Sequence, residues 1–242
     1  MILLFIQKIK HEIIPTFSQE WWLYNVITIA MIIGIVFWGR SFSAKNINRL
    51  TLTIASLFIF EFFFMDWYHL YSGDWYMQDS LPLHLCALMW FVTIYLLLTK
   101  KQWAFEMMLF IGMPGGVHSL LTPELTHGAD LLHKIDYFLG HGGLVLAPFY
   151  AIFVLKMWPR KNSWWQSFLK LQILVIIVGL INCLLESNYM FLAEPPIVPN
   201  PLIPPRESFF GQWPYYILIF EMAIFAHAAI INFPFWLKSR KD

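Results

Sequence analysis

Cys86 and His141 are the two side chains of this 242-residue sequence with the most direct route to covalent chemistry. A thiol whose proton passes to an imidazole becomes a nucleophile toward an acyl carbonyl, and the product is a thioester. Cys86 closes the stretch "LPLHLC" (81–86), and His141 stands inside "LGHGG" (139–143). Glycine in a helix costs roughly 0.5–1 kcal/mol relative to alanine, so Gly140, Gly142 and Gly143 point to room around the imidazole. The backbone N–H groups of Gly142 and Gly143 are candidates for holding an oxyanion.

Further polar groups surround these two in the apolar background. "EFFFMDWYHLY" (61–71) carries Glu61, Asp66 and His69 within an arc of about 140° at helical spacing. His84 precedes Cys86 by two residues, about 200° away on a helix, so the two cannot serve one small site from the same face. His118 follows Pro114, Gly115 and Gly116, where proline removes a backbone hydrogen bond and kinks a helix. Glu186, Asn188 and Tyr189 stand on the outer portion of a later apolar run. Each also has a plain reading: a buried cysteine is commonly an inert small apolar group, and carboxylate–histidine pairs can simply fasten helices.

The elements that must position these groups are membrane helices. The chain is 59% hydrophobic and 13% charged, against about 25% charged residues in a soluble domain. Apolar runs of about 20 residues, the length that crosses a bilayer as a helix, recur along it. The reading is all-α, a single polytopic domain of seven transmembrane helices at about 21–39, 50–71, 81–99, 102–121, 137–157, 168–191 and 213–237. Residues 1–20 read as an interfacial amphipathic segment with no small-residue cleavage site, and 192–212 as a proline-rich outer lid.

Twelve of the sixteen lysines and arginines fall on one side of this arrangement, which places that side in the cytoplasm, the N-terminus outside and the C-terminus inside. Six of the eight histidines then lie at the outer level, the exceptions being His11 and His227, which is placed near the inner end. Ionisable groups in spans face a bundle interior or a cavity, so the chemistry belongs in the outer half. A net charge of +1 points away from nucleic acid as a partner, and two cysteines, Cys86 and Cys183, are too few for a disulfide framework.

The pieces "LPLHLC" (81–86), "GMPGGVHSLLTP" (112–123), "YFLGHGGLVLAP" (137–148), "NYMFL" (188–192) and "WPYY" (213–216) resemble those of the YwaF-type bacterial integral membrane proteins, relatives of the animal transmembrane protein 164 group. The resemblance implies a bacterial plasma-membrane protein and a lysophospholipid acyltransferase-like activity. It also implies kinship with androgen-induced membrane hydrolases, which act on lipid esters. Carried over by motif, the nucleophile is Cys86 and its base His141, with membrane lipids (phospholipid or lysophospholipid) as partners.

Three functions thus stand open. The first is a Cys–His acyltransferase or acyl hydrolase that needs no metal and no cofactor, with His84, Asp66 and His69 assisting the base. The second is a non-enzymatic transporter or receptor that takes a polar or cationic ligand in an acidic pocket of Glu61, Asp66, Glu186 and Glu221 beneath Trp67, Trp75 and Tyr189. The third is a zinc-dependent hydrolase using His69, His84, His118 and His141 with Asp66 and Glu186.

Overall fold

A computed structural model describes residues 12–196 and 204–239. Seven helices account for most of the described chain: α1 Gln19–Gly39, α2 Ala44–Ser72, α3 Leu85–Thr99, α4 Gln102–Leu121, α5 Leu131–Phe153, α6 Ser163–Leu185 and α7 Tyr215–Ser239. Six of them are long and apolar enough to cross a membrane, whereas α3 is apolar but only 15 residues long. The expected third span from 81 is therefore helical only from Leu85, because residues 81–84 turn outside the helix and His84 occupies its N-cap.

Three starts are set by short polar side chains that satisfy orphan first-turn N–H groups. Ser18 accepts from Trp21 N, Ser43 from Asn46 N, and Asp130 from His133 N. The last moves the start of α5 from the expected 137 to Leu131, which places Asp136 on a helix rather than in a loop. At the end of α6, Asn182 stops the helix early. Its Oδ1 accepts from Tyr189 N and Ser187 Oγ, and its Nδ2 donates to Tyr189 O, so Asn188 and Tyr189 lie outside the helix.

The predicted kink at Pro114 takes the form of a π-helical turn, Met108–Gly112, immediately before it. The extra residue in that turn accommodates a proline that can donate no bond to the ladder. All five residues of the turn are buried, and α7 packs across it.

α4 and α5 form the centre of the bundle. α5 packs against α1, α2, α3 and α4, and its glycines are the contact points. A Cβ on Gly142 would meet Thr28 of α1 at 2.5 Å, and one on Gly143 would meet Phe58 of α2 at 2.6 Å. These two glycines are buried packing positions whose N–H groups belong to the helix ladder, which removes them from the oxyanion role expected above.

The interfacial-helix expectation fails where it can be read. Residues 1–11 lie outside the described residues, while β1 (Glu12–Ile13) pairs antiparallel with β2 (Glu124–Leu125). That two-stranded ladder ties the segment before α1 to the α4–α5 connection, and Ile14, Leu120, Leu125 and Phe138 form a small second core beneath it. Both cysteines are free.

Candidate active site

A cavity of about 440 Å³ opens at the end of the bundle where α3 and α5 begin and α4 ends. Cys86 and His141 both line it, from α3 and α5 respectively. The thiol and the His141 ring are close enough to interact. Its second neighbour is Ser119 of α4, with Sγ 3.8 Å from Oγ. Gly115, one turn earlier on α4, leaves that side of the sulfur open, since a Cβ there would stand 3.8 Å from Sγ.

The tautomer of His141 follows from its other contact. Nδ1 lies 2.7 Å from the carbonyl oxygen of Tyr137, which can only accept, so Nδ1 carries the hydrogen and Nε2 presents a lone pair. Tyr137 is fixed in turn: its hydroxyl donates to Ser119 O at 3.0 Å and accepts from Glu124 N at 3.3 Å. Gly116 lets the two walls close on each other, because a Cβ there would lie 2.7 Å from the His141 carbonyl oxygen.

Cys86 is the second residue of α3. The first intrahelical donor at this end is Leu88 N, bonded to His84 O, and the His84 side chain caps nothing. The N–H groups of Leu85, Cys86 and Ala87 are thus the unsatisfied donors of a helix start, where the dipole also favours negative charge.

His84 and Cys86 line the same cavity, contrary to the 200° separation expected of two helical residues, because His84 has N-cap geometry instead. His84 Nδ1 accepts from Met190 N at 3.3 Å and Nε2 stands 3.8 Å from Asp79, so the ring links the lid region to the loop before α3. Tyr189 is fully buried beside it: its hydroxyl donates to Met77 O at 2.6 Å and accepts from Leu81 N. Burial is the first reason that this phenol is pushed up to about 12; the Leu81 N–H pulls the other way.

The α2 groups line a different wall. Glu61 of α2 and Asp136 of α5 both line the cavity and interact across it. Asp66 accepts from Trp75 Nε1 at 3.0 Å. His69 is sandwiched between His127 and His133, with ring centroids 4.4 and 5.2 Å away and near-parallel planes. Its Nε2 is buried with no hydrogen-bond partner among the described residues. His127 and His133 each face a carboxylate, Asp79 at 3.1 Å and Asp130 at 2.9 Å.

Glu186 does not reach the site: it is exposed and caps α6 in a left-handed conformation. Asn188 folds the lid instead, accepting from Ala193 N and Glu194 N. The lid's residues 197–203 lie outside the described residues; Pro196 of the lid and Phe191 just before it line the cavity. Sequence reasoning passed over Ser119, Tyr137 and Asp136. It also put His227 at the wrong depth, since His227 Nε2 lies 3.1 Å from His118 Nε2.

Five carboxyl groups line the cavity, those of Glu61, Asp66, Asp79, Glu124 and Asp136, and no lysine or arginine does so among the described residues. The histidines fall into three groups: His141 with Cys86, His118 with His227, and the His127–His69–His133 stack, which Asp79 joins to His84. Among the described residues, no three of His, Cys, Asp or Glu form a group that could hold a metal ion.

The TMEM164 family matches residues 16–232 of the chain, a stretch that includes every group named at the site. Neither a curated protein nor a solved structure matches it.

Proposed function

This chain belongs to the TMEM164 family and is a multi-pass membrane protein, and we propose that it is a lipid acyltransferase or acyl hydrolase that works through a thioester on Cys86. The observation that carries the reading is the Cys86–His141 contact, with His141 Nδ1–H anchored on the Tyr137 carbonyl. An imidazole held in that tautomer has one function left at Nε2, which is to take the thiol proton.

The steps use groups already placed. His141 Nε2 accepts the proton of Cys86 as sulfur attacks the ester carbonyl of a phospholipid. The N–H groups at the start of α3 face the oxygen on which charge develops, taking the role first assigned to Gly142 and Gly143. His141 then protonates the departing lysolipid oxygen, leaving an acyl-Cys86 thioester. Water or a lysophospholipid hydroxyl takes the acyl group in the second half.

In this reading α3 is a seventh span, shortened because its outer end is the active site. The cavity opens to the extracytoplasmic side, since twelve of the sixteen lysines and arginines lie on the other. The bacterial YwaF-type likeness and a plasma-membrane location belong to the same proposal. Purified protein incubated with phospholipid vesicles carrying a radiolabelled acyl chain should acquire a hydroxylamine-sensitive label. Cys86→Ala and Cys86→Ser should lose both the label and lipid turnover; turnover that survives in Cys86→Ala rejects the nucleophile.

The acidic lining favours a second reading, in which the cavity holds a cation without chemistry. Flux of a cation across liposomes that is unchanged by Cys86→Ala, with no acyl label on the wild-type protein, would select it.

A further inference from the structure

The thiol has imidazoles on two walls. His141 approaches from α5, while His118 lines the same cavity from α4, next in sequence to the Ser119 whose hydroxyl lies 3.8 Å from the sulfur. His118 is tied to a residue from a third helix. His227 Nδ1 lies 2.6 Å from the Ala223 carbonyl of its own helix α7, so that nitrogen must carry the hydrogen. His227 Nε2 is therefore an acceptor, and His118 Nε2, 3.1 Å away, must be the donor. With its one hydrogen committed to His227, neutral His118 presents a lone pair at Nδ1.

We propose that His118, held in this tautomer by His227, is a second base of the cavity that deprotonates the acyl acceptor. This rests on the thioester reading above and assigns the second half of that reaction. Two observations separate the roles. His141 spends Nδ1 on Tyr137 O and faces the sulfur with Nε2, the arrangement for deprotonating the thiol. His118 is bonded instead to α7, the helix that also brings Phe220 to the cavity and is the least buried in the bundle. The acceptor's side is thus the wall nearest the lipid-exposed helix, and the donor's leaving group departs beside α5.

The step balances without another reagent. His118 Nδ1 takes the proton of an acceptor hydroxyl, the acceptor oxygen forms a bond to the thioester carbonyl carbon, and the carbon–sulfur bond breaks with its pair on Cys86. The resulting imidazolium donates through Nε2 to His227, and its Nδ1 proton then returns to the sulfur through solvent. His227 touches no reacting atom and is a positioning residue.

The test uses the full chain in detergent micelles, with p-nitrophenyl decanoate as acyl donor and either water alone or added lysophosphatidylglycerol as acceptor. A nitrophenol that leaves readily makes the burst report thioester formation, and the steady state report its discharge. His118→Gln should keep the burst and slow the steady state by about 100-fold, with acyl-protein accumulating. His118→Asn should do the same. His227→Gln retains an acceptor for His118 Nε2 and should discharge within about threefold of wild type, whereas His227→Leu should slow discharge by about 10-fold with the burst intact.

A larger effect in the lysophosphatidylglycerol arm identifies a lipid hydroxyl as the deprotonated acceptor, and equal effects in both arms identify any hydroxyl, water included. The proposal is overturned if His118→Gln slows burst and steady state alike, or changes neither, or if His227→Leu and His227→Gln behave identically. A wild-type protein that shows no burst and no acyl-protein rejects the thioester reading itself, and this inference with it.

Discussion

Two polar clusters sit at opposite ends of the bundle, and they differ in how completely their groups are paired. Near the start of α4, Glu106 is only 1% exposed, yet its carboxylate accepts from Gln102 Nε2 and from Arg160 N, Nε and Nη2, all at 2.7–2.9 Å. Oε1 accepts three of these bonds and Oε2 the fourth, and the α5–α6 connection is clipped to α4. Around Cys86 and His141 the opposite holds. His69 Nε2 is buried with no hydrogen-bond partner among the described residues, and the first N–H groups of α3 have no intrahelical acceptor. A saturated cluster holds a fold together, whereas an unsaturated one that opens to a cavity keeps donors and acceptors for something else to meet.

The largest effect that separates the clusters is on activity. His141→Ala should lower acyl turnover by about 10²–10⁴-fold, the range for loss of a positioned general base, while thermal unfolding in detergent stays close to wild type. A variant that unfolds early instead would make His141 a structural partner and dissolve the contrast. At the other end the expectation reverses. Arg160→Ala strands a buried carboxylate and should destabilise by about 3 kcal/mol, measured by denaturant unfolding, with unchanged turnover per folded molecule. An unaffected midpoint would show that the clip is not structural.

Gly116→Ala probes the wall between the two kinds of chemistry. Its Cβ would press on the His141 carbonyl at 2.7 Å and on Leu144 Cβ at 3.0 Å, so α4 must draw back from α5. Overpacking of this sort costs about 1–3 kcal/mol. Since Ser119 and Gly115 are on α4 and His141 is on α5, the same shift should open the contact around the sulfur and lower turnover by more than the loss of folded protein accounts for. Equal losses in both would mean that the active geometry tolerates the displacement.

How far the sequence carried these assignments depends on the kind of signal. Apolar runs located the helices, and equal depth from one common end of the bundle brought Cys86 toward His141, because depth along a span is a matter of counting residues. Helix starts and stops were less visible. Asp130 stands three residues before His133, a readable N-cap signal, yet the polar run "LLHKID" behind it looked like loop and hid Asp136 inside α5. Asn182 ends α6 by folding the next segment back on its own side chain, a contact to Tyr189 that no local pattern announces. Gly142 and Gly143 were read as open space, whereas they are filled by Thr28 and Phe58 from two other helices. His227 was placed near the inner end because its depth was counted from one span alone, and the partner that fixes it, His118, is 109 residues away in sequence.

The smallest expected effect concerns the cluster's outer rim. Burial in the loop before α5 holds His127 below the ordinary histidine value of 6.5; His133 and His84 push the same way, and the Asp79 carboxylate opposes them. A histidine with a lowered value in the folded state binds fewer protons there than in the unfolded chain. Stability from this source is therefore full above pH 6.5 and is lost as the pH falls below it, since the unfolded state gains the proton first. Unfolding temperatures should decline on acidification below pH 6.5, and His127→Gln should shallow that slope without altering the plateau above it. An unchanged slope in His127→Gln would assign the acid sensitivity to another group. It would also narrow the contrast between the two ends, because the histidine stack would then be as settled as the Glu106 clip.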